Sequence, residues 1–160
     1  MIRLAVGATL MAVAAYIGIG IDKFYKMRVD YLKDFADFLG YASREAGFLK
    51  TDILRIISLY CASRSSNLTK YLQQTKQQLE SGNAPTIDCV FLAKKDKKLY
   101  ESFFEGLKSA DYRTQEKLFL HSIAETSELI KEAEKNKKNK GELIRKLMAL
   151  GGVALMVIVL

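Results

Sequence analysis

Residues 111–160 read DYRTQEKLFLHSIAETSELIKEAEKNKKNKGELIRKLMALGGVALMVIVL. The stretch contains no proline, and a set of its apolar residues recurs at intervals of three, four and seven, which is the period of one helix face. These residues are Tyr112, Phe119, Ile123, Ile130 and Ala133. Charged side chains end at Lys146. The pattern therefore predicts one long helix that begins in water and ends in lipid, interrupted early only by Gly141.

A second uncharged stretch covers residues 4–21, close to the roughly 20 residues that cross a bilayer as a helix. It is either a retained membrane helix or a cleavable signal, since Arg3 precedes it and residues 12–14, Ala-Val-Ala, fit a cleavage pattern. Retention is favoured, because the apolar run continues past that pattern and basic residues follow it at once. We therefore expect transmembrane helices at residues 1–21 and 147–160.

The C-terminal span is short for a bilayer. Residues 147–160 rise only about 21 Å as a helix, against about 30 Å of hydrocarbon. Arg145 and Lys146 can extend the span by snorkelling, since their apolar stems lie in the hydrocarbon while their charges reach the headgroups.

Residues 22–146 are expected to form an all-α bundle of five or six helices, since the chain has one proline and few alternating runs. The first helix continues from the membrane segment and ends at Gly47. It carries a broad apolar stripe that faces a core. The stripe consists of Tyr31, Leu32, Phe35, Phe38, Leu39 and Ala42.

Turn and capping residues divide the rest of the bundle. Thr51 and Asp52 are expected to open a second helix, and residues 64–67 to precede a third. After the break at residues 81–85, a short fourth helix is expected through Ile87, Val90 and Phe91. Asp96 is expected to cap a fifth helix, and Asp111 to cap the final one.

The formal net charge of +7 predicts an anionic partner. Lys and Arg crowd the inner flanks of both apolar segments, so the positive-inside rule places the middle domain in the cytoplasm and both ends outside. Anionic lipid is therefore the expected partner of this basic belt. The flanking residues are Lys23, Lys26, Arg28, Lys137, Lys138, Lys140, Arg145 and Lys146.

A further basic run, KKDKK at residues 94–98, has no interleaved aromatic or glycine residues that would cradle a phosphate. We interpret it as a solvated corner between helices, and no nucleic acid is expected to bind.

The sequence contains no phosphate loop, no nucleotide fingerprint and no cluster of metal ligands. His121 is the only histidine, and Cys61 and Cys89 form no CxxC pair. The two cysteines are expected to be reduced core residues. We therefore expect a scaffold rather than an enzyme, and no cofactor.

A short signature spans the start of the last helix: Phe104, Leu107, Ala110-Asp111, Gln115 and Lys117. With two terminal membrane segments around a helical domain, it resembles the stage III sporulation protein AB family of endospore-forming bacteria. That family usually has glycine at the position of Lys108 and Ser or Thr at that of Ala110. It is similar to the inner-membrane platform component of type II secretion and type IV pilus machines.

The resemblance implies a platform-like helical bundle in the mother-cell membrane around the forespore. It implies membership of a feeding-channel complex, contact with its other membrane proteins, and docking of a cytoplasmic secretion-type ATPase. Asp111 and Gln115 are contact candidates by analogy. We expect the ATPase near two turns, which contain Arg64 and then Lys94, Lys95, Lys97 and Lys98.

Two other functions remain open on the residues alone. One is a general membrane adaptor that pairs through its long C-terminal helix with a division or envelope protein. The other is an exported helical protein whose first segment is cleaved.

Overall fold

The computed structural model describes residues 2–49, 52–109 and 112–159. Inside these ranges, the side chains of residues 2–8, 10, 11, 14, 15, 48, 49, 109, 112, 113, 145, 155, 156, 158 and 159 lie outside the description. The helices are α1 (Ile2–Leu49), α2 (Ile53–Ser63), α3 (Asn67–Glu80), α4 (Lys94–Ser109), α5 (Tyr112–Asn136), a π-helical turn (Lys137–Gly141) and α6 (Glu142–Val159). No strand occurs in these ranges, so the all-α prediction is confirmed.

The chain forms two compact units. The central unit is Asp30–Lys131, and the terminal unit combines Met1–Val29 with Glu132–Leu160. We describe each unit by itself.

The core of the central unit is built on the apolar stripe of α1, whose six predicted residues are all buried. Phe35 meets Tyr100 of α4 at a ring-centroid distance of 5.2 Å, and Phe38 meets Tyr60 of α2 edge to face, also at 5.2 Å. Such aromatic pairs add about 0.5–1.5 kcal/mol beyond the area they bury. A chain without tryptophan therefore fills its core with interlocking Phe and Tyr rings.

Two predicted boundaries differ from the structure. Gly47 does not end α1, which continues to Leu49, because a glycine in the last turn keeps helical backbone unless it takes a positive φ. Asp52 is the residue before α2, but it caps through its carbonyl, which accepts from the Ile56 N–H at 3.0 Å. The other predicted capping residue, Thr51, lies outside the described residues.

The predicted short helix through Ile87, Val90 and Phe91 is wrong, because residues 83–89 are not helical. Burial there alternates with period two, which is typical of extended backbone. The inward residues are Pro85, Ile87 and Cys89, and the outward ones are Thr86, Asp88 and Val90.

Side chains of the flanking helices hold the backbone of this segment. The Thr86 N–H donates to Gln78 Oε1 of α3 at 3.0 Å. The Ile87 N–H donates to Glu101 Oε1 of α4 at 3.2 Å. These bonds replace the i−4 carbonyls that a helix would use, and Pro85 has no N–H to give. The extended form therefore has the Thr86 and Ile87 donors satisfied without helical bonds.

The turn after α3 requires a glycine. Gly82 has φ of 76°, in the left-handed region. The Asn83 N–H donates to the Gln78 carbonyl at 2.9 Å, which is the six-to-one bond of a Schellman ending. Lys108 Nζ donates to the Asn83 carbonyl at 2.9 Å from α4. Lys108 thus holds this turn against α4.

In the terminal unit, the last helix continues through a π-helical turn rather than a break. Gly141 lies at the end of that turn and is buried. A β-carbon at Gly141 would lie 3.4 Å from Asp22 Oδ1 and 3.6 Å from the Tyr25 ring. The glycine therefore lies close against α1.

Where the structure describes side chains, no helix has the length and apolar character needed to cross a membrane. The predicted spans at residues 1–21 and 147–160 contain side chains outside the description, and they are not confirmed.

Candidate interaction surfaces

Most of the predicted membrane-flank cations lie on the surface of the terminal unit. Lys23, Lys26, Lys138, Lys140 and Lys146 are exposed, and Lys137 is half-buried. Three of them belong to the π-helical turn, whose wider backbone is a feature often found at functional sites. Lys146 Nζ lies 2.8 Å from Glu142 Oε1. The side chain of Arg145 lies outside the described part.

Arg28 differs from the other flanking cations, because it is buried. Only 8% of the residue is exposed, and its Nη2 lies 3.5 Å from Glu132 Oε1. A charge removed from water needs a partner of opposite sign. Arg28 therefore pairs α1 with α5 inside the terminal unit.

The terminal unit also exposes large apolar side chains. On α6, Leu143, Leu147, Leu150 and Val157 follow each other at intervals of four, three and seven, so they share one helix face. All four are more than half exposed. On α1, Tyr16 is 80% exposed. Further exposed apolar side chains are Val13, Ile17, Ile19, Phe24 and Val153. A helix face that exposes several large apolar side chains, as that of α6 does, is typical of an interaction with lipid or protein.

The KKDKK run forms the first turns of α4, so the predicted corner between two helices is instead the start of a helix that follows a non-helical segment. Lys94, Lys95 and Lys98 are exposed, and Lys97 Nζ lies 3.9 Å from Asp88 Oδ1. Asp96 is buried, and its Oδ2 accepts from the Ala93 N–H at 2.9 Å. Asp96 therefore caps the N-terminus from the third position of the helix rather than as the predicted residue before it, and the lysines lie around the positive end of the helix.

Arg64, the other predicted contact, is engaged within the fold. It forms an ion pair with Asp37, and its guanidinium carbon lies 5.4 Å from the centre of the Tyr60 ring. The Tyr60 hydroxyl in turn donates to Asp37 Oδ2 at 3.2 Å. Arg64 therefore joins α2 to α1, and about half of its side chain is exposed.

Asp111 lies outside the described residues. Gln115 is half-buried and lines a small cavity of about 120 Å³ with Gly47 and Phe119. The structure therefore does not bring Gln115 together with Arg64 or the lysines of α4 in one pocket.

The groups that could carry chemistry are dispersed. His121 is exposed, with Nε2 3.3 Å from Glu125 Oε2 on the next turn. Both cysteines are free, and burial raises the pKa of the Cys61 thiol. The buried Cys89 sulfur accepts from the Tyr71 hydroxyl at 3.4 Å. That hydrogen bond and then burial raise the pKa of Tyr71 to about 12. Among the described residues, no three His, Cys, Asp or Glu side chains are placed to bind one metal ion.

One surface was missed by the sequence reasoning. A polar cleft of about 390 Å³ lies beside the extended segment, between Gln74 and Gln78 of α3 and the outward residues Thr86 and Asp88. The alternation of apolar and polar residues in PTIDCV, residues 85–90, is the signal that could have found it.

The chain as a whole was compared with known proteins. The model of the family described as stage III sporulation protein AB matches residues 3–160. No curated protein and no solved structure matches the chain.

Proposed function

The chain belongs to the stage III sporulation protein AB family, and we propose that it is a membrane-anchored scaffold of the sporulation channel between mother cell and forespore. In this proposal it docks a cytoplasmic ATPase of the secretion type. The family match supports the role in sporulation. The observation that carries the membrane part is the distribution of exposed apolar side chains.

These side chains concentrate in one unit. Of the thirteen large apolar side chains exposed among the described residues, ten belong to the terminal unit. Water disfavours such a surface at about 25 cal/mol per Å² of apolar area, whereas hydrocarbon does not. The terminal unit is therefore the part of the chain that suits a bilayer, with residues 1–21 and 147–160 as its two spans.

The exposed lysines support the orientation that we propose. Lys23 and Lys26 of α1, and Lys138 and Lys140 of the π-helical turn, follow or precede the apolar segments on the side of the central unit in sequence. Each lysine near an anionic membrane surface contributes about 1 kcal/mol. The positive-inside rule then puts the central unit in the cytoplasm and both chain ends outside.

For the ATPase, we assign the docking surface to the start of α4. The interaction of Lys94 with the positive end of the helix dipole is unfavourable, so fold stability does not explain this residue. Binding to an acidic surface of the ATPase explains why lysines cluster at the start of α4. Arg64 is less suited, since Asp37 already neutralises it. Asp111 and Gln115 remain contact candidates through the family resemblance.

Charge reversal tests this surface. We expect Lys94→Glu/Lys98→Glu to reduce recovery of the ATPase at least tenfold when the tagged protein is purified from cells after engulfment. The same variant should unfold at an equal or higher temperature, because a glutamate suits the first turn of a helix. Lys70→Glu, at an exposed lysine of α3, is the matched control and should recover the ATPase normally. Equal recovery by all three proteins would contradict the assignment.

We propose a structural role rather than catalysis. The raised pKa of Cys61 keeps its thiol protonated, and a thiol is a weak nucleophile compared with a thiolate. A chain with His121→Ala, Cys61→Ala and Cys89→Ala should support normal spore formation if it folds, as judged by its circular dichroism. Loss of sporulation in a folded triple variant would favour an enzyme.

Deletion of the gene tests the biological role. We expect spore development to stop after engulfment while vegetative growth stays normal. A normal spore yield would overturn the proposal. Expression in growing cells, together with a growth defect, would favour the general membrane adaptor instead.

A further inference from the structure

The polar cleft lies between α3 and the extended segment, and these two walls carry residues at matching spacings. The Gln78 carboxamide of α3 makes two hydrogen bonds to the segment. Its Oε1 accepts from the Thr86 N–H at 3.0 Å, and its Nε2 donates to Thr86 Oγ1 at 3.1 Å. Gln74 precedes Gln78 by one helical turn, which is about 6 Å along α3. Asp88 follows Thr86 by two residues, which is about 6.6 Å along the segment. Since the segment returns along α3 after the turn at Gly82, Gln74 and Asp88 stand in the same register as Gln78 and Thr86, and all four line the cleft.

The Gln78–Thr86 pair is hydrogen-bonded, whereas the Gln74–Asp88 pair is not. Within the part of the chain that the structure describes, the Gln74 carboxamide and the Asp88 backbone make no hydrogen bond, and both residues line the cleft. A peptide group presents one donor and one acceptor, which is what a carboxamide and a strand edge can satisfy together. The Gln74 carboxamide and the Asp88 peptide can therefore hydrogen-bond with the backbone of a bound extended chain.

The outward side chains of the segment define the partner further. The Asp88 carboxylate is fully exposed, and Val90, two residues on, is 86% exposed. Among the described residues that line the cleft, Asp88 alone is ionisable, in a chain of net charge +7. A spacing of two also relates side chains on one face of a docked strand. Asp88 thus favours a cationic side chain of the partner, which would compete with Lys97 at 3.9 Å, and Val90, beyond the cleft, favours an apolar one.

We propose that this cleft binds an extended peptide segment of a partner protein. The segment lies between α3 and residues 86–90, pairs its backbone with the Gln74 carboxamide and the Asp88 peptide, and places Lys or Arg beside Asp88. The site adjoins α4 through Asp88, whose Oδ1 lies 3.9 Å from Lys97 Nζ, but Lys94 and Lys98, whose charges are reversed in the test of the ATPase surface, do not line it.

The probe is a random dodecapeptide library displayed on phage and selected against the full-length protein in detergent. Selected peptides are then synthesised, and their affinity is measured by fluorescence polarisation. We expect a consensus with a basic residue two positions from an apolar one. Gln74→Trp, which fills the cleft, and Asp88→Lys should each weaken binding at least tenfold. Gln73→Trp, at the neighbouring exposed position of α3 that does not line the cleft, should leave binding unchanged.

Three results would overturn the proposal: no enriched peptide, an acidic consensus, or affinity that Gln74→Trp and Asp88→Lys leave unchanged. Thermal unfolding of each variant controls for folding, and Asp88→Lys changes a side chain that is fully in solvent. The measurement uses purified protein and does not depend on sporulation or on the ATPase. Its failure is therefore distinguishable from failure of the proposed function.

Discussion

Arg28 and Glu132 form an ion pair although 104 positions separate them in the chain. The guanidinium is buried, whereas the Glu132 side chain is 44% exposed. The pair joins α1 and α5 inside the terminal unit. Arg28, which the sequence predicts to be a surface cation beside the membrane, is therefore a buried link between these two helices.

Removal of the carboxylate charge should therefore be costly. We expect Glu132→Gln to lower the free energy of unfolding by about 1–3 kcal/mol, because the buried guanidinium loses a charged partner. Glu128→Gln is the matched control, since Glu128 pairs with Lys131 at 2.8 Å in full solvent. Such exposed pairs contribute about 0–1 kcal/mol. Thermal unfolding in detergent micelles measures both variants, and equal losses would mean that burial of Arg28 has no energetic consequence.

Two buried tyrosines make a second test. The Tyr100 hydroxyl and Thr75 Oγ1 are hydrogen-bonded at 2.8 Å. The equally buried Tyr31 hydroxyl has no hydrogen-bond partner among the described residues. Tyr100→Phe should cost about 1–3 kcal/mol, because Thr75 is left unsatisfied, whereas Tyr31→Phe should be neutral or stabilising. Denaturant unfolding measures the difference, and the reverse order would contradict the hydrogen-bond assignment.

The tyrosines also predict how stability depends on alkaline pH. Burial raises the pKa of Tyr100, and it raises that of Tyr60 to about 12, above the ordinary value of 10.0. The folded state therefore keeps phenolic protons that the unfolded state loses above pH 10, so the contribution of these tyrosines to stability is constant below pH 10 and falls between pH 10 and about 12.

Unfolding in denaturant at pH 8 and pH 11 measures this fall. Tyr60→Phe should reduce the fall, because one proton fewer is linked to unfolding. A fall of the same size in the variant would show that Tyr60 does not contribute.

Two glycines should respond to alanine with opposite signs. Gly82→Ala should destabilise by about 1 kcal/mol, because its φ of 76° disfavours any β-carbon although the space around it is open. Gly40→Ala should stabilise by up to about 1 kcal/mol, because Gly40 lies inside α1 and its β-carbon would only reach Arg44 at 3.8 Å. Thermal unfolding gives both signs, and a stabilised Gly82→Ala would exclude the left-handed turn.

Sequence reasoning succeeded where one periodic signal dominates. The stripe from Tyr31 to Ala42 repeats at three and four residues and is buried in full. It failed at residues 85–91, where Ile87, Val90 and Phe91 fit a helical spacing while the same run also alternates with period two. Side chains from Gln78 and Glu101 decide between the two readings. Gln78 and Glu101 belong to other helices, so the local sequence of residues 85–91 does not contain this information.

Contacts between distant residues were also beyond the sequence. Arg28 reads as a membrane-flank cation, and only the fold brings Glu132 to it. Arg64 reads as a free turn residue, and only the fold brings Asp37 to it. The family signature, in contrast, was sufficient to identify the family, which matches residues 3–160.

Trypsin protection of the protein on isolated, engulfed forespores tests most directly whether the central unit faces the mother-cell cytoplasm from a membrane. Gentle rupture of the mother cell leaves the outer forespore membrane intact, and an antibody against residues 30–131 reports cleavage at the exposed lysines of α4. We expect the protein to sediment with the forespores and to be cleaved without detergent, while a marker of the intermembrane space stays intact. Protection of residues 94–98 until detergent is added, or recovery of the uncleaved protein in the soluble fraction, would contradict the proposed anchoring and orientation.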